Sequence, residues 1–169
     1  MDYRTDFADL VLGDNIVIPK KHNKFYSEKI IRLPHTYQPN DCTRIISDKD
    51  TLRNDFGLPK EAVVFCCFNN TFKITPDEFN CWMRILKIVE NSVLWLLKID
   101  EKGEANIKAE AKKRGVEPSR LVFADMLPQS EHLARQKHAD LFLDTFRYNA
   151  HTTASDALWG GAACRNKKR

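Results

Sequence analysis

Glycine is scarce in this chain, with six among 169 residues. None falls in the loop Asn69-Asn70-Thr71-Phe72-Lys73, which follows the first long apolar run. That excludes the Gly-rich dinucleotide fingerprint and the Walker loop, because both need glycine for close backbone approach to phosphate. The five cysteines, Cys42, Cys66, Cys67, Cys81 and Cys164, include no CxxC pair. A zinc site and a thioredoxin-type motif are therefore unsupported, and no metal and no cofactor is expected. Free thiols in a reducing cytosol are the expectation, hence a cytoplasmic location. No apolar run approaches the length of a membrane span, so no membrane is expected as a partner. The segment Met1 to Phe7 has neither a basic n-region nor an apolar h-region, so it is not a signal peptide. Internal repeats and low-complexity segments are absent.

The net charge of +4 invites a nucleic-acid reading. All of it is accounted for by the tail Arg165-Asn166-Lys167-Lys168-Arg169, and the neutral body has no basic stripe with interleaved aromatics. Nucleic acid is therefore not an expected partner, and the tail reads as a solvated end. Hydrophobic content of 43% and charged content of 30% are those of a soluble globular protein. The length suits one domain with an appended arm.

Residues 1–47 read as an irregular arm or linker, with Lys29 to Leu33 as a possible short strand. Ser47-Asp48-Lys49-Asp50 reads as the start of a short helix closed at Gly57. A regular strand–helix rhythm then occupies 48–160. Residues 62–68 form a continuous apolar strand, buried on both faces. Thr75-Pro76-Asp77-Glu78 is a capping box with proline at the first helical position. Further strands are expected at 92–99, 121–124 and 141–144, and helices at 103–114, 128–138 and 152–159. Residues 161–169 read as a disordered basic tail. Alternating strands and helices predict an α/β fold, a Rossmann-like parallel sheet with helices on both faces. Ligands of such sheets sit at the carboxyl ends of the strands, near the switch in strand order.

Three loops lie at such ends. Lys73 in the first could place a point charge near an anion, or be an ordinary exposed lysine. In the second, His132 and Arg135 follow Leu127-Pro128-Gln129 and share a helix face. They could offer a ring for stacking and a guanidinium for a carbonyl, or belong to a solvated helix start. In the third, His151-Thr152-Thr153 opens a helix whose unpaired N–H groups suit a phosphate. Capping by Thr152 accounts for the threonines and leaves the adjacent histidine unexplained. Asp156, about one turn on, could accept from a sugar hydroxyl. Read jointly, the three loops suggest a nucleotide-diphosphate pocket. His22, His35 and His138 read as surface or packing histidines.

Several strings together resemble one family. They are Phe25-Tyr26-Ser27-Glu28-Lys29, Leu33-Pro34-His35-Thr36-Tyr37, Phe68 to Ile74, Ser92 to Leu97, and Asp144-Thr145 through His151-Thr152-Thr153 to Leu158-Trp159. The chain resembles the catalytic region of O-linked N-acetylglucosamine transferases of the bacterial type, from about Met1 to Gly160. The resemblance implies an inverting glycosyltransferase with two Rossmann-like halves, of which the C-terminal half holds the donor, UDP-N-acetylglucosamine. Position by position it implies that the Leu127 backbone and Arg135 hold the uracil, with His132 stacked on it. Asp156 would bind the ribose. Asn70, Lys73, Thr152 and Thr153 would hold the diphosphate, with His151 close to phosphates and sugar. Gln129 departs from the pattern, standing where some members have a lysine on the ribose. The catalytic residues are not identified.

The resemblance also implies a truncated, donor-binding fragment, inactive alone, whose intact parent glycosylates Ser and Thr of protein acceptors. The rival expectation is a non-catalytic α/β interaction module with an incomplete pocket. A fragment exposes apolar surface and should self-associate. Light scattering at high concentration should give a mass above the monomer; a clean monomer would contradict this.

Overall fold

The computed structural model describes residues 8–165. The chain forms two compact units, one ending at Cys42 and the other starting at Thr43. The first holds a short parallel pair, β1 (Leu10–Gly13) and β2 (Lys29–Arg32), with Leu10 opposite Lys29. The expected strand at Lys29 is present, and β1 is an addition to it. The loop after β1 folds around Asp14, which accepts from Ile16 N and Val17 N at 2.8 Å and from Tyr37 N at 3.0 Å. These backbone donors, Val17 foremost, hold its carboxyl below the usual range.

The second unit is a five-stranded parallel sheet built from β3 (Val63–Cys67), β4 (Ser92–Leu97), β5 (Leu121–Ala124), β6 (Leu141–Leu143) and β7 (Ala163–Arg165). Its strand order is β5-β4-β3-β6-β7. The helices are α1 (Pro76–Ile88), α2 (Glu101–Lys113), α3 (Gln129–Arg135) and α4 (Thr152–Trp159). The expected Rossmann-like α/β architecture is present.

Strand alternation divides the core in two. Phe65, Cys67, Leu94 and Leu96 pack with Phe79, Trp82, Met83 and Leu86 of α1 and Ala111 of α2. Val64, Cys66, Phe68 and Trp95 point the other way and pack with Phe142 and Ala157. Both faces of β3 and β4 are thus covered, which is why their sequences read as unbroken apolar runs. Burial leaves Cys66 well above the ordinary thiol range and pushes Cys67 up to about 12.

Local signals explain most boundaries. Thr75 and Glu78 close the capping box on α1. Asp100 accepts from Gly103 N at 2.8 Å, so α2 starts two residues before its expected position. The expected helix at 128–138 is α3 followed by a tighter 3-10 turn, Gln136–His138. Two expectations need correction. The helix expected from Ser47 is only a 3-10 turn, Arg53–Phe56, closed by Gly57 at φ 68°; residues 48–51 have no apolar side chain to bury, so nothing holds an earlier turn. The expected tail at 161–169 begins instead with β7, where Ala163 pairs with Leu141 and Cys164 packs on the core. A three-residue strand is too short to show a period. Residues 166–169 of that tail lie outside the described residues. The packing role expected of His138 holds, since its Nε2 lies 2.9 Å from Thr51 Oγ1 and its ring against Phe56.

Gly160 marks a close approach: a Cβ there would lie 2.4 Å from both the Leu133 carbonyl oxygen and Gln136 Cβ. The end of α4 therefore rests directly on α3. Arg120 ties the end of α1 to the sheet. Its Nη2 donates to Leu86 O at 2.7 Å, Val89 O at 2.8 Å and Ser92 Oγ at 2.8 Å, and its Nε to Ser92 O at 2.8 Å. A cation on the last carbonyls of a helix is favourable in both charge and hydrogen bonding. Arg120→Ala should lower unfolding stability by about 1.5–3 kcal/mol, the range for hydrogen bonds to charged groups, while Arg114→Ala, whose partners Asn80 and Glu110 lie at the surface, should cost less. Urea unfolding of the two variants checks the order.

Candidate functional site

The strand order reverses between β3 and β6, because β4 and β5 lie on one side of β3 and β6 and β7 on the other. Chains leaving these two strands diverge, and a crevice opens at their carboxyl ends. The first polar residues there are Asn69 and Asp144, both buried. Asn69 Nδ2 donates to Asp144 Oδ1 at 3.3 Å and to Thr145 Oγ1 at 3.1 Å. Its Oδ1 accepts from the Thr153 hydroxyl at the start of α4. Asp144 also accepts from Thr145 N at 2.8 Å, Ala150 N at 2.7 Å and Asn149 Nδ2 at 3.1 Å. Glu78, fully buried on α1, accepts from Thr75 N at 3.0 Å through Oε2 and from Phe146 N at 2.9 Å through Oε1. The loop 145–151 is thus held from three elements.

On this frame the expected residues fall into two groups. Asn70 caps a 3-10 turn, Thr71–Lys73, its side chain accepting from Phe72 N. Lys73 Nζ lies 4.4 Å from the centroid of the Tyr148 ring. Tyr148 stacks on His151 at 5.6 Å with 13° between ring planes. Lys73 and His151, far apart in sequence, therefore share one aromatic neighbour. Thr152 is exposed at the start of α4, and Thr153 is drawn inward to Asn69. Asp156 is nearly buried and ion-paired with Arg44, which also lies over the Trp159 ring at 5.3 Å.

The second group surrounds Phe68, the residue before Asn69. Its ring meets His132 edge-on at 5.3 Å and Arg135 at 4.8 Å. Arg135 is only 1% exposed. Its Nη1 donates to Asp125 O at 2.5 Å and its Nη2 lies 2.6 Å from His132 Nδ1. The guanidinium is turned into the protein, where it fixes the loop after β5 and the His132 ring. Burial lowers its pKa to about 10, so it stays charged. Leu127 is half-buried and, with Arg135, Ala134 and Phe56, lines a shallow cleft.

Sequence reasoning gives Asn69, Glu78, Asp144, Arg44 and Tyr148 no part in the site. Asn69 and Asp144 carry a signal that could have found them, since each is the first polar residue after an apolar strand. Glu78 reads as part of a capping box, which it makes, and nothing local reveals the use of its second oxygen. Among the described residues, no group of three or more His, Cys, Asp or Glu is placed to hold a metal ion. Among them also, no helix is long and apolar enough to cross a membrane.

Burial first, then the Arg135 charge, lowers the pKa of His132 to about 4, against an opposing pull from Asp156. The folded chain keeps this ring neutral where the unfolded chain, with an ordinary value of 6.5, takes up a proton. Stability is complete above pH 6.5 and falls as pH drops toward about 4. His138, also lowered chiefly by burial, acts in the same direction. Urea unfolding near pH 5 should show a loss on the order of 1–2 kcal/mol relative to pH 7. His132→Asn should remove part of that loss; an unaltered pH profile would contradict the assignment.

A family model described as glycosyl transferase family 41 matches residues 47–165. A protein of Arabidopsis thaliana, described as a probable UDP-N-acetylglucosamine–peptide N-acetylglucosaminyltransferase SEC, is 40% identical over 162 residues, which is 92% of this chain and 16% of the relative. The UDP-N-acetylglucosamine–peptide N-acetylglucosaminyltransferase of Caenorhabditis elegans is 43% identical over 111 residues, 66% of this chain and 10% of its own length. The solved structure of a mutant O-GlcNAc transferase from Thermobaculum terrenum superposes with a TM-score of 0.78 at 27% identity, covering 92% of this chain and 29% of that one. The chain spans a small part of the length of each. It belongs to glycosyl transferase family 41, the family of the O-GlcNAc transferases.

Proposed function

We propose that this chain carries the donor-binding portion of a glycosyltransferase that uses UDP-N-acetylglucosamine to modify Ser and Thr of protein acceptors. The observation that carries the reading is the convergence at the strand-order switch. Asn69 links the carboxyl ends of β3 and β6 to the start of α4, and Lys73 and His151 each contact the ring of Tyr148, whose carbonyl accepts from Thr145 in that link. Residues 48–160 are read as the nucleotide-sugar-binding domain and 1–47 as an arm from a preceding catalytic half. Five free thiols fit a cytosolic setting.

The chemistry follows from charge. As the bond between sugar and diphosphate breaks, negative charge grows on the phosphate oxygens. Lys73, the hydroxyl and backbone N–H of Thr152, and the first amides of α4 supply positive potential there. Asn70, Thr153 and His151 complete the phosphate end. Asp156 takes a ribose hydroxyl, exchanging or sharing its bond to Arg44. His132 offers its ring to the uracil, the Leu127 backbone its edge contacts, and Arg135 holds both in place from inside. No metal or cofactor is assigned a part.

Calorimetry with UDP tests this, and no binding at millimolar UDP rejects it in favour of a non-catalytic α/β module. Lys73→Ala should weaken UDP roughly 10-fold or more, the equivalent of about 1.4 kcal/mol, and leave uridine nearly unchanged. An equal loss for both ligands would sink the phosphate role. The residues gathered here face the leaving group, so the proposal concerns binding. Incubation with radiolabelled donor and acceptor peptide is expected to give no labelled peptide.

A further inference from the structure

Gln136 is fully buried one turn after His132, at the end of α3. One atom of its amide lies 3.2 Å from His132 Nε2, and the other has no hydrogen-bond partner. The proton count around the ring decides which atom faces it. A guanidinium can only donate, and Arg135 Nη2 stands 2.6 Å from His132 Nδ1. Nδ1 must therefore present its lone pair, and the single proton of the neutral ring sits on Nε2. An amide nitrogen opposite Nε2 would set two donors head to head. An amide oxygen there accepts the proton. With the nitrogen facing Nε2 the far atom is the oxygen, which has no hydrogen-bond partner, so turning the amide over removes the donor–donor contact without breaking a bond.

We infer that Gln136 is a positioning residue, whose side-chain carbonyl accepts from His132 Nε2–H and fixes the ring through its second nitrogen while Arg135 fixes the first. The stem of Gln136 is itself held. A Cβ at Gly160 would lie 2.4 Å from Gln136 Cβ and 2.7 Å from its Cγ, so the end of α4 presses against it. Phe68 bounds the ring edge-on from the sheet. With both nitrogens engaged inside the protein, His132 has no hydrogen bond left to offer a ligand. This rests on the reading of His132 as the base-stacking residue: the ring contributes a π face alone, and choice among pyrimidine bases falls to the loop around Leu127. Nothing in the sequence of α3 marks Gln136 for this, since a glutamine four residues after a histidine is ordinary helix composition.

The test is imidazole NMR on the full chain, first without nucleotide. A single neutral tautomer with the proton on Nε2 is expected, with a slowly exchanging Hε2 and no strong NOE from it to the Gln136 amide protons. A proton on Nδ1, or a strong NOE to that amide, overturns the assignment. Gln136→Glu places a carboxylate against Nε2 and should raise the His132 titration by more than about one pH unit, against the Arg135 charge and with that of Asp156. An unmoved titration overturns the proposal. If that variant does not fold, the tautomer and NOE of the unaltered chain decide. Titration with UDP is read separately. The predicted tautomer in a chain that does not bind UDP upholds the positioning role and rejects the nucleotide reading.

Discussion

The buried contact between Asn69 and Asp144 is the interaction on which the rest of this structure rests. Two parallel strands end side by side there and their chains part, which leaves backbone donors unpaired at the floor of a crevice. A carboxylate buried at such a point is costly unless it is fully hydrogen-bonded. Asp144 is, by Asn69, Thr145, Asn149 and Ala150 together. The same bonds fix the course of the loop 145–151 and, through Asn69 and Thr153, the start of α4. A loop without a single glycine can therefore hold a defined shape, since the backbone donors of Thr145 and Ala150 are met by Asp144 and those of Phe146 and Arg147 by Glu78.

The two ends of the crevice are built on different physics. Around Asp144 the partners are polar and directional. Around Phe68 they are stacked: Trp95 meets the ring at 5.0 Å on one side, with His132 and Arg135 around the rest. A buried guanidinium among aromatic faces keeps its charge because the rings and the Asp125 carbonyl replace water. Phe68 and Asn69 are consecutive, so one step along the chain separates the two regimes. A ligand with a planar head and an anionic tail matches that succession.

Much of this could be read from the residues. The apolar runs at 62–68 and 92–99 are legible because both faces of a central parallel strand are buried. Thr75 with Glu78 marks a helix start through local hydrogen bonding that depends on nearest neighbours alone, whereas α4 has no such cap and its Thr153 bonds to the distant Asn69. What could not be read depends on residues distant in sequence. Arg135 sits on the expected helix face, yet only the packed structure shows it turned toward Asp125 and Phe68. Arg44 lies in a stretch with no periodicity, and its partner Asp156 is 112 positions away. β7 is three residues long and owes its pairing to the neighbouring β6, a debt that no local pattern records.

The placement of Cys66 and Cys67 has a use of its own. Adjacent residues on a central strand point to opposite sides, so one thiol belongs to the core shared with α1 and α2 and the other to the opposite core. Both are kept as unreactive thiols by burial. Each becomes available only when its own side of the sheet opens. The chain thus carries two neighbouring chemical reporters that answer separate questions, and the order in which an alkylating reagent reaches them would record which layer of helices leaves the sheet first.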